Sequence, residues 1–377
     1  MSTQVHLYST PLTLISIPRD AYPTFFFGIA KLLLGTWKDD VRIQAWKQSP
    51  QLQALGELNL EDGSSRRSSR IAEDNRSGVP NSAETEDQEI DDLITNLEEF
   101  ISVTLTPLEC SVICPSEIVS ILFQDQLHSV GESLGVQVIS HEYVPIQFDG
   151  DGLDSGQRVL AVSAPLSNAG ISIFFLATYF SDYMLIPTDA KAQVVKALED
   201  RGFTFSDSAD SYVYQSAIKA DGSQISRLEE NTFGLLREAQ VSPQVDRSCQ
   251  LLVSGVRHFD DSVALTIVKT LVQLPQYFSV TITGGTEISL LLDRQCARLF
   301  QESTLLGSPT EYVTPVSFDL RQLPEDCTGI VTSVAGRLVR HDSTHRVHMS
   351  GYLSTAKSGV VLVPEEAVAE AVRALQC

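Results

Sequence analysis

The chain has 377 residues, of which 43% are hydrophobic, and a formal net charge of -21. This length predicts more than one domain, because a single domain holds roughly 100–200 residues. The acidic charge is repelled by nucleic acid phosphates and by anionic lipid, so we exclude nucleic acid and membrane as partners.

No segment resembles a membrane span or a signal peptide. The most apolar run, at 25–35, is shorter than the ~18 apolar residues that a membrane helix needs, and it contains Lys31, so it predicts a buried helix. The cysteines lack the spacing of a metal site and are expected to be reduced: Cys110, Cys114, Cys249, Cys296, Cys327 and Cys377. These features predict a cytoplasmic protein without a cofactor.

The N-terminal part predicts a strand over 4–17 and then a helix with Asp20 as its cap and Gly35 as its end. The segment from about 47 to 96 is rich in Ser, Glu, Asp, Arg and Gly. Such a composition buries too little apolar area to offset the entropy of ordering, so it predicts a disordered insert.

Within that insert, arginines precede Ser68 and Ser69 in the run SRRSSR. This pattern suits a basic-directed kinase, and a phosphate there would change the local charge strongly. The two serines are therefore candidate phosphorylation sites. The alternative is a polar linker without a regulatory role.

After the insert, two paired strands, a helix over 116–130 and a strand-rich stretch over 135–149 are predicted. The next segment reads strand, helix, strand, strand, helix, strand, with YVPIQFD at 143–149 as the first strand. This order is the ferredoxin-like split βαβ pattern, in which two helices cover one face of four antiparallel strands. A linker over 206–247, containing a helix at 226–239, leads to two further segments of the same kind.

Internal repetition defines the predicted architecture. YVPIQFD at 143–149 is answered by YVTPVSFD at 312–319, and FISVTLT at 100–106 by YFSVTIT at 277–283. A tandem duplicate rebuilds inside one chain the interface that a homodimer forms between two chains. We therefore predict an α+β fold of four ferredoxin-like units in two pseudo-symmetric pairs. Their bounds are 4–142 with the insert, 143–205, 248–311 and 312–377.

The paired strands that end in DYMLIP and GVVLVPE resemble those of ACT domains, and four such units in tandem resemble the CASTOR (GATS-like) family. The resemblance implies a cytosolic amino-acid sensor without catalytic activity. It implies a ligand between units 2 and 4, and a protein partner in nutrient signalling through the target-of-rapamycin pathway. A homodimer is a further expectation. A scaffold whose units bind no ligand, and the regulatory part of an amino-acid-metabolism enzyme, are the alternatives.

The resemblance also implies site residues. A Ser-Val pair on the first helix of unit 2 corresponds to Ala161 and Val162, and an aspartate in the strand turn of unit 4 corresponds to Gly359. The guanidinium group of arginine needs carboxylate partners, and neither Ala161 nor Gly359 supplies one. These two departures therefore argue against arginine as the ligand. The other residues implied in unit 4 are Asp326, Cys327, Thr328, Gly329, Ile330 and Thr355.

A mirrored site in unit 2 follows from the repeat itself. The Gly-rich loop at 149–156 contains Asp149 and Asp151, and Asp182 lies in the following strand turn. Amide groups freed at a helix start hold a carboxylate, and an aspartate holds an ammonium group. The alternatives are turn and capping roles. A calcium loop is excluded, because Leu160 stands where an EF-hand places glutamate.

No catalytic constellation is evident, so we predict a protein that is not an enzyme. The histidines at 341, 345 and 348 are expected in a solvated loop rather than at a metal.

Overall fold

The computed structural model describes residues 3–41, 94–95, 97, 100–150, 155–203, 222–301, 303–324, 327–340 and 348–376. Almost all of the predicted insert, with Ser68 and Ser69, lies outside these residues, as do Asp151, Asp326, His341 and His345. None of the helices in the described ranges is long and apolar enough to cross a membrane.

Strands in the described ranges are short and numerous. In chain order they are β1 (Thr3–Leu7), β2 (Leu12–Pro18), β3 (Phe100–Leu105), β4 (Glu109–Pro115), β5 (Gln137–Val138), β6 (Tyr143–Gly150), β7 (Phe174–Ala177), β8 (Asp182–Pro187), β9 (Gln244–Val245), β10 (Leu251–Gly255), β11 (Phe278–Thr283), β12 (Glu287–Asp293), β13 (Tyr312–Asp319), β14 (Gly351–Ser354) and β15 (Ser358–Pro364).

The helices alternate with these strands. They are α1 (Tyr22–Leu34), α2 (Ser116–Leu122), α3 (Ser155–Asn168), α4 (Lys191–Glu199), α5 (Gly222–Glu238), α6 (Asp261–Val272), α7 (Arg294–Ala297), α8 (Ile330–Arg340) and α9 (Val368–Leu375). Short helical turns follow α2 and precede α4 and α9. The order strand, helix, strand, strand, helix thus recurs from β2, β6, β10 and β13.

All described strands belong to one antiparallel sheet that closes on itself. Its order is β6-β8-β7-β14-β15-β13-β10-β12-β11-β3-β4-β2, and β2 returns to β6 through the pair Leu12 and Tyr143. We expected each unit to carry its own four-stranded sheet, and the structure instead joins them into one ring. Closure removes the edge strands, which would otherwise leave backbone amides unpaired.

The residues that the structure describes form three hydrophobic clusters. One lies between the ring and helices α1, α2 and α6, and a second lies between the ring and α3, α4, α5, α8 and α9. The third is inside the ring, where side chains such as Leu14, Leu185 and Leu362 meet. Strands β3 and β11 are buried along their whole length because both of their faces are covered.

Helix α1 shows how local sequence and packing combine. Gly35 ends it in a left-handed conformation, and its N–H group bonds to the carbonyls of Leu32 and Lys31. Asp20 is not the cap that we predicted. Ala21 occupies the cap position without a side-chain hydrogen bond, and Pro23 in the first turn needs no amide partner.

The N-terminal strand predicted over 4–17 is two strands. β1 pairs with β6, the chain then turns through residues 8–11, and β2 pairs with β4. Pro11 lies in this turn, where proline is tolerated because no ladder amide is needed. β1 lies beside β6, and the last strand of the second predicted segment, which would begin near Phe203, lies mostly outside the described residues.

The predicted linker at 206–247 is partly built into the fold. Helix α5 contributes Phe233 and Leu236 to the second cluster, and β9 pairs with β13. The amphipathic pattern of this helix has an apolar face to bury, and helices α3 and α8 provide the surface that covers it.

Candidate ligand-binding cleft

A cleft opens where the loop between α3 and β7 meets the loop before α8 and the β14–β15 hairpin. Its volume is about 70 Å³. The residues that line it are Ser172, Ile173, Phe174, Leu320, Leu323, Pro324, Cys327, Gly329, Ile330, Val331, Tyr352, Ser354, Thr355, Ala356 and Ser358. None of these described lining residues carries a charged side chain.

The seam between two repeats places this cleft. Strands β7 and β14 pair through Leu176 and Leu353, and this brings α3 beside α8. The two helices are joined by hydroxyl groups, with Ser167 Oγ 2.6 Å from Thr332 Oγ1 and Thr332 donating to Ser163 Oγ at 2.9 Å. Helix α8 is thereby held with its N-terminus at the cleft.

The start of α8 carries the polarity of the site. Gly329 has a φ of +85°, and its carbonyl accepts the hydrogen bond from Ser333 N at 2.8 Å that begins the helix. The first amide groups of a helix have no partner within it and carry partial positive charge. Gly329, Ile330 and Val331 line the cleft, so this helix start suits a carboxylate.

Gly329 is constrained by packing as well as by its backbone. A Cβ atom there would lie 2.9 Å from Leu228 Cδ1 and 3.2 Å from Thr232 Oγ1, both on α5. Helix α5 therefore packs directly against this glycine.

Tyr352 accounts for the glycine at 359. The tyrosine is 1% exposed, and its hydroxyl occupies the space that a Cβ atom at Gly359 would need. Burial raises the pKa of Tyr352, so the side chain is a neutral phenol at ordinary pH. An aspartate at 359 would collide with this ring.

Four of the predicted site residues come together in the cleft, namely Cys327, Gly329, Ile330 and Thr355. Thr328 and Gly359 lie beside them in the chain but are not among the lining residues. Asp326 lies outside the described residues.

On the opposing wall the prediction and the structure differ. Val162 is buried in the core of α3 and Ala161 is half-buried, and neither lines the cleft. The wall is formed instead by Ser172, Ile173 and Phe174. The sequence contained no signal for these residues, because Ser172 and Ile173 lie in a loop, Phe174 begins β7, and their neighbours are set by the pairing of β7 with β14.

The predicted mirrored site has its aspartate already engaged. Asp182 is 4% exposed, and its Oδ2 lies 2.9 Å from Arg158 Nε on α3. An ammonium group would have to displace this guanidinium. Asp149 belongs to β6, and Asp151 lies outside the described residues.

A second cavity, of about 210 Å³, lies between the β3–β4 turn, β9 and β13. Its carboxylates are held locally. Hydrogen bonds from Ser248 lower the pKa of Asp246, and those from Arg321 lower the pKa of Asp319. It contains none of the predicted site residues, so we regard the cleft at α8 as the better candidate.

Comparison with known proteins identifies one region. Residues 138–200, which span β6 to α4, match the model of the ACT domain family. No curated protein matches the chain.

Three solved structures are similar in part. Aspartate kinase from Synechocystis shares 10% identity over 73% of this chain and 48% of its own, about half its length, with a TM-score of 0.29. A protein from Agrobacterium tumefaciens shares 20% identity over 27% of this chain and 81% of its own, with a TM-score of 0.21. A protein of unknown function from Vibrio cholerae, described as a possible transport protein, shares 16% identity over 28% of this chain and 91% of its own, with a TM-score of 0.18.

The match to the family model identifies residues 138–200 as an ACT domain, a regulatory module of the kind that binds small ligands such as amino acids.

Proposed function

We propose that this protein is a non-enzymatic amino-acid sensor that binds its ligand in the cleft at the start of α8 and signals through a protein partner. One observation carries the proposal. The cleft lies at the seam between the ACT domain and the repeat that begins at β13, with a helix N-terminus in its wall.

The lining indicates how a free amino acid would be held. Amide groups at Gly329 and Ile330 receive its carboxylate, and the hydroxyls of Ser172 and Thr355 offer further hydrogen bonds. We assign the ammonium group to Asp326 in the same loop. Apolar walls and the lack of charged lining residues in the described ranges favour an amino acid with an uncharged side chain.

The wider architecture is part of the proposal. We propose four ACT units, with bounds near 4–142, 143–205, 248–311 and 312–377, because the order strand, helix, strand, strand, helix recurs four times. Membership of the CASTOR (GATS-like) family, a cytoplasmic location, a homodimer and a role in target-of-rapamycin signalling are proposed with it. Coupling requires only that the ligand favour one packing of the repeats over another.

A thermal-shift screen of the protein against the twenty amino acids tests this function. A ligand at a hundred times its dissociation constant adds about 2.7 kcal/mol to the free energy of unfolding. Ala356→Phe fills the cleft and should abolish the shift, whereas Thr286→Phe, in the exposed turn between β11 and β12, should keep it. A wild type that responds to no amino acid contradicts the proposal.

The second candidate function is a scaffold that acts by protein-protein contact without a ligand. Two observations favour it: Asp182 is already paired with Arg158, and Tyr352 leaves no room for a carboxylate side chain at position 359. It predicts that Ala356→Phe leaves partner binding unchanged.

A further inference from the structure

Glu109 is a buried carboxylate directly behind the cleft wall. It begins β4, far from the cleft in sequence, and is 1% exposed. Thr355 Oγ1 donates to its Oε1 at 2.5 Å, the Lys357 N–H group donates to the same oxygen at 2.6 Å, and Ser16 Oγ donates to Oε2. Glu109 therefore links β2 and β4 to the β14–β15 hairpin.

These bonds complete the network that shapes the hairpin. Thr355 N donates to the carbonyl of Ser358 at 2.8 Å, and Ser358 N donates to Thr355 Oγ1 at 3.0 Å. The same Thr355 hydroxyl that donates to Glu109 therefore accepts from Ser358 N. The cleft is lined by Thr355, Ala356 and Ser358. The hydrogen bonds of Glu109 therefore reach the hairpin turn that forms this wall of the cleft.

The energetic cost of burying Glu109 shows that its partners matter. A buried carboxylate is tolerated only when donors replace the lost water, so removing those donors destabilises the fold. Burial raises the pKa of Glu109, and the bonds from Ser16, Thr355 and Lys357 N oppose that rise. The titratable or charged groups around it are the Lys357 ammonium, the adjacent Cys110 thiol and, beyond Cys110, Arg19.

Glu287 occupies the same position in the β11–β12 hairpin as Glu109 does in the β3–β4 hairpin. It shows that a hairpin of this kind forms without a buried glutamate. Thr106 N bonds to the carbonyl of Glu109 across the β3–β4 turn, and Thr283 pairs with Glu287 across the β11–β12 turn. Glu287 is exposed. Of these two glutamates, Glu109 is the one whose side chain contacts another repeat, through Thr355 and Lys357.

We propose that Glu109 is a positioning residue of the cleft, whose carboxylate holds residues 355–358 in the conformation that binds ligand. This inference rests on the proposed function and deepens it, because it names the contact through which the ligand site is coupled to the β2–β4 side of the ring. A ligand that favours one hairpin geometry also favours the Glu109 contacts, and the reverse holds by linkage.

The test compares Glu109→Ala, Glu109→Gln and the control Glu287→Ala. Amide hydrogen exchange of the ligand-free protein reads the hairpin directly. We expect exchange at Lys357 and Ser358 to be at least tenfold faster in Glu109→Ala and unchanged in Glu287→Ala. Glu109→Gln should restore slow exchange, because its amide oxygen accepts from Thr355 and Lys357 N while its NH₂ group faces Ser16 Oγ. Unchanged exchange in Glu109→Ala overturns the proposal.

Should Glu109→Ala not fold, Glu109→Asp replaces it, since the shorter side chain keeps the carboxyl group but cannot span to both donors. The binding arm uses whichever of the twenty amino acids stabilises the wild type. The dissociation constant should rise at least tenfold in the Glu109→Ala or Glu109→Asp variant and stay within twofold in Glu287→Ala. Faster exchange with unchanged affinity overturns the positioning role. A wild type that binds no amino acid contradicts the proposed function, whereas the exchange arm judges the hairpin contact independently.

Discussion

Ser167 and Thr332 join the two helices beside the cleft, with their hydroxyl oxygens 2.6 Å apart across 165 residues of sequence. Thr332 also donates to Ser163, and all three side chains are buried. The link is polar and internal, so it fixes the register of α3 against α8 in a way that apolar packing alone does not.

Thr332→Val tests this link. The substitution keeps the shape but leaves the hydroxyls of Ser163 and Ser167 without their partner, which costs about 1–3 kcal/mol of unfolding free energy. Urea denaturation measures the loss. Thr266→Val on α6 is the control, since that hydroxyl is exposed and bonds only to the Ser262 carbonyl, and it should change stability by less than about 0.5 kcal/mol. Equal effects of the two variants would refute the role of the link.

Gly329→Ala should be more destabilising than Gly170→Ala. Both glycines have positive φ, of +85° and +72°, so both variants lose about 1–2 kcal/mol to the left-handed backbone. At Gly170 an added Cβ meets nothing within 4 Å, whereas at Gly329 it meets Leu228. Thermal unfolding should show the difference, and Leu228→Ala should recover part of it. Identical losses at both glycines would contradict the packing of α5 on this loop.

Gly359→Ala probes the contact with Tyr352. The added methyl group overlaps the buried hydroxyl, and overpacking of this kind costs about 1–3 kcal/mol. Combining it with Tyr352→Phe should restore much of the loss. Gly234→Ala, in the interior of α5 with open space around its Cβ, should instead stabilise by up to about 1 kcal/mol. If Gly359→Ala leaves the free energy of unfolding unchanged, the Tyr352 hydroxyl does not lie against position 359.

Glu109→Gln should change how stability depends on pH. Burial raises the pKa of the Glu109 carboxyl above its ordinary value of 4.5, so the folded state binds this proton more tightly than the unfolded state. The contribution of protonated Glu109 is complete below pH 4.5 and is lost as pH rises through the folded pKa. The wild type should therefore lose stability relative to Glu109→Gln over that window, with a slope of up to about 1.4 kcal/mol per pH unit.

Chemical denaturation at several pH values measures that difference, and Glu287→Gln removes an exposed carboxylate as the matched control for charge. Parallel profiles for the wild type and Glu109→Gln would mean that the carboxyl is not buried as described.

The candidate site was predicted in part. The resemblance indicated Cys327, Gly329, Ile330 and Thr355, which the structure places in one cleft. The resemblance did not indicate Tyr352 or the opposing wall of the cleft, which residues 172–174 form. Local pattern indicates that a residue lies in a turn or on a strand, but the partner across a seam depends on which strands pair, and that information is not periodic.

The sequence by itself determined the kind and order of most of the elements. Alternating and helical hydrophobic spacing, repeated at YVPIQFD and YVTPVSFD, specified strands and helices through short-range geometry. Only the tertiary structure decided that β1 pairs with β6, that the strands close into one ring and that Glu109 reaches Thr355. These contacts join residues more than a hundred positions apart, and they are chosen by the burial and hydrogen bonding of the whole chain rather than by any local preference.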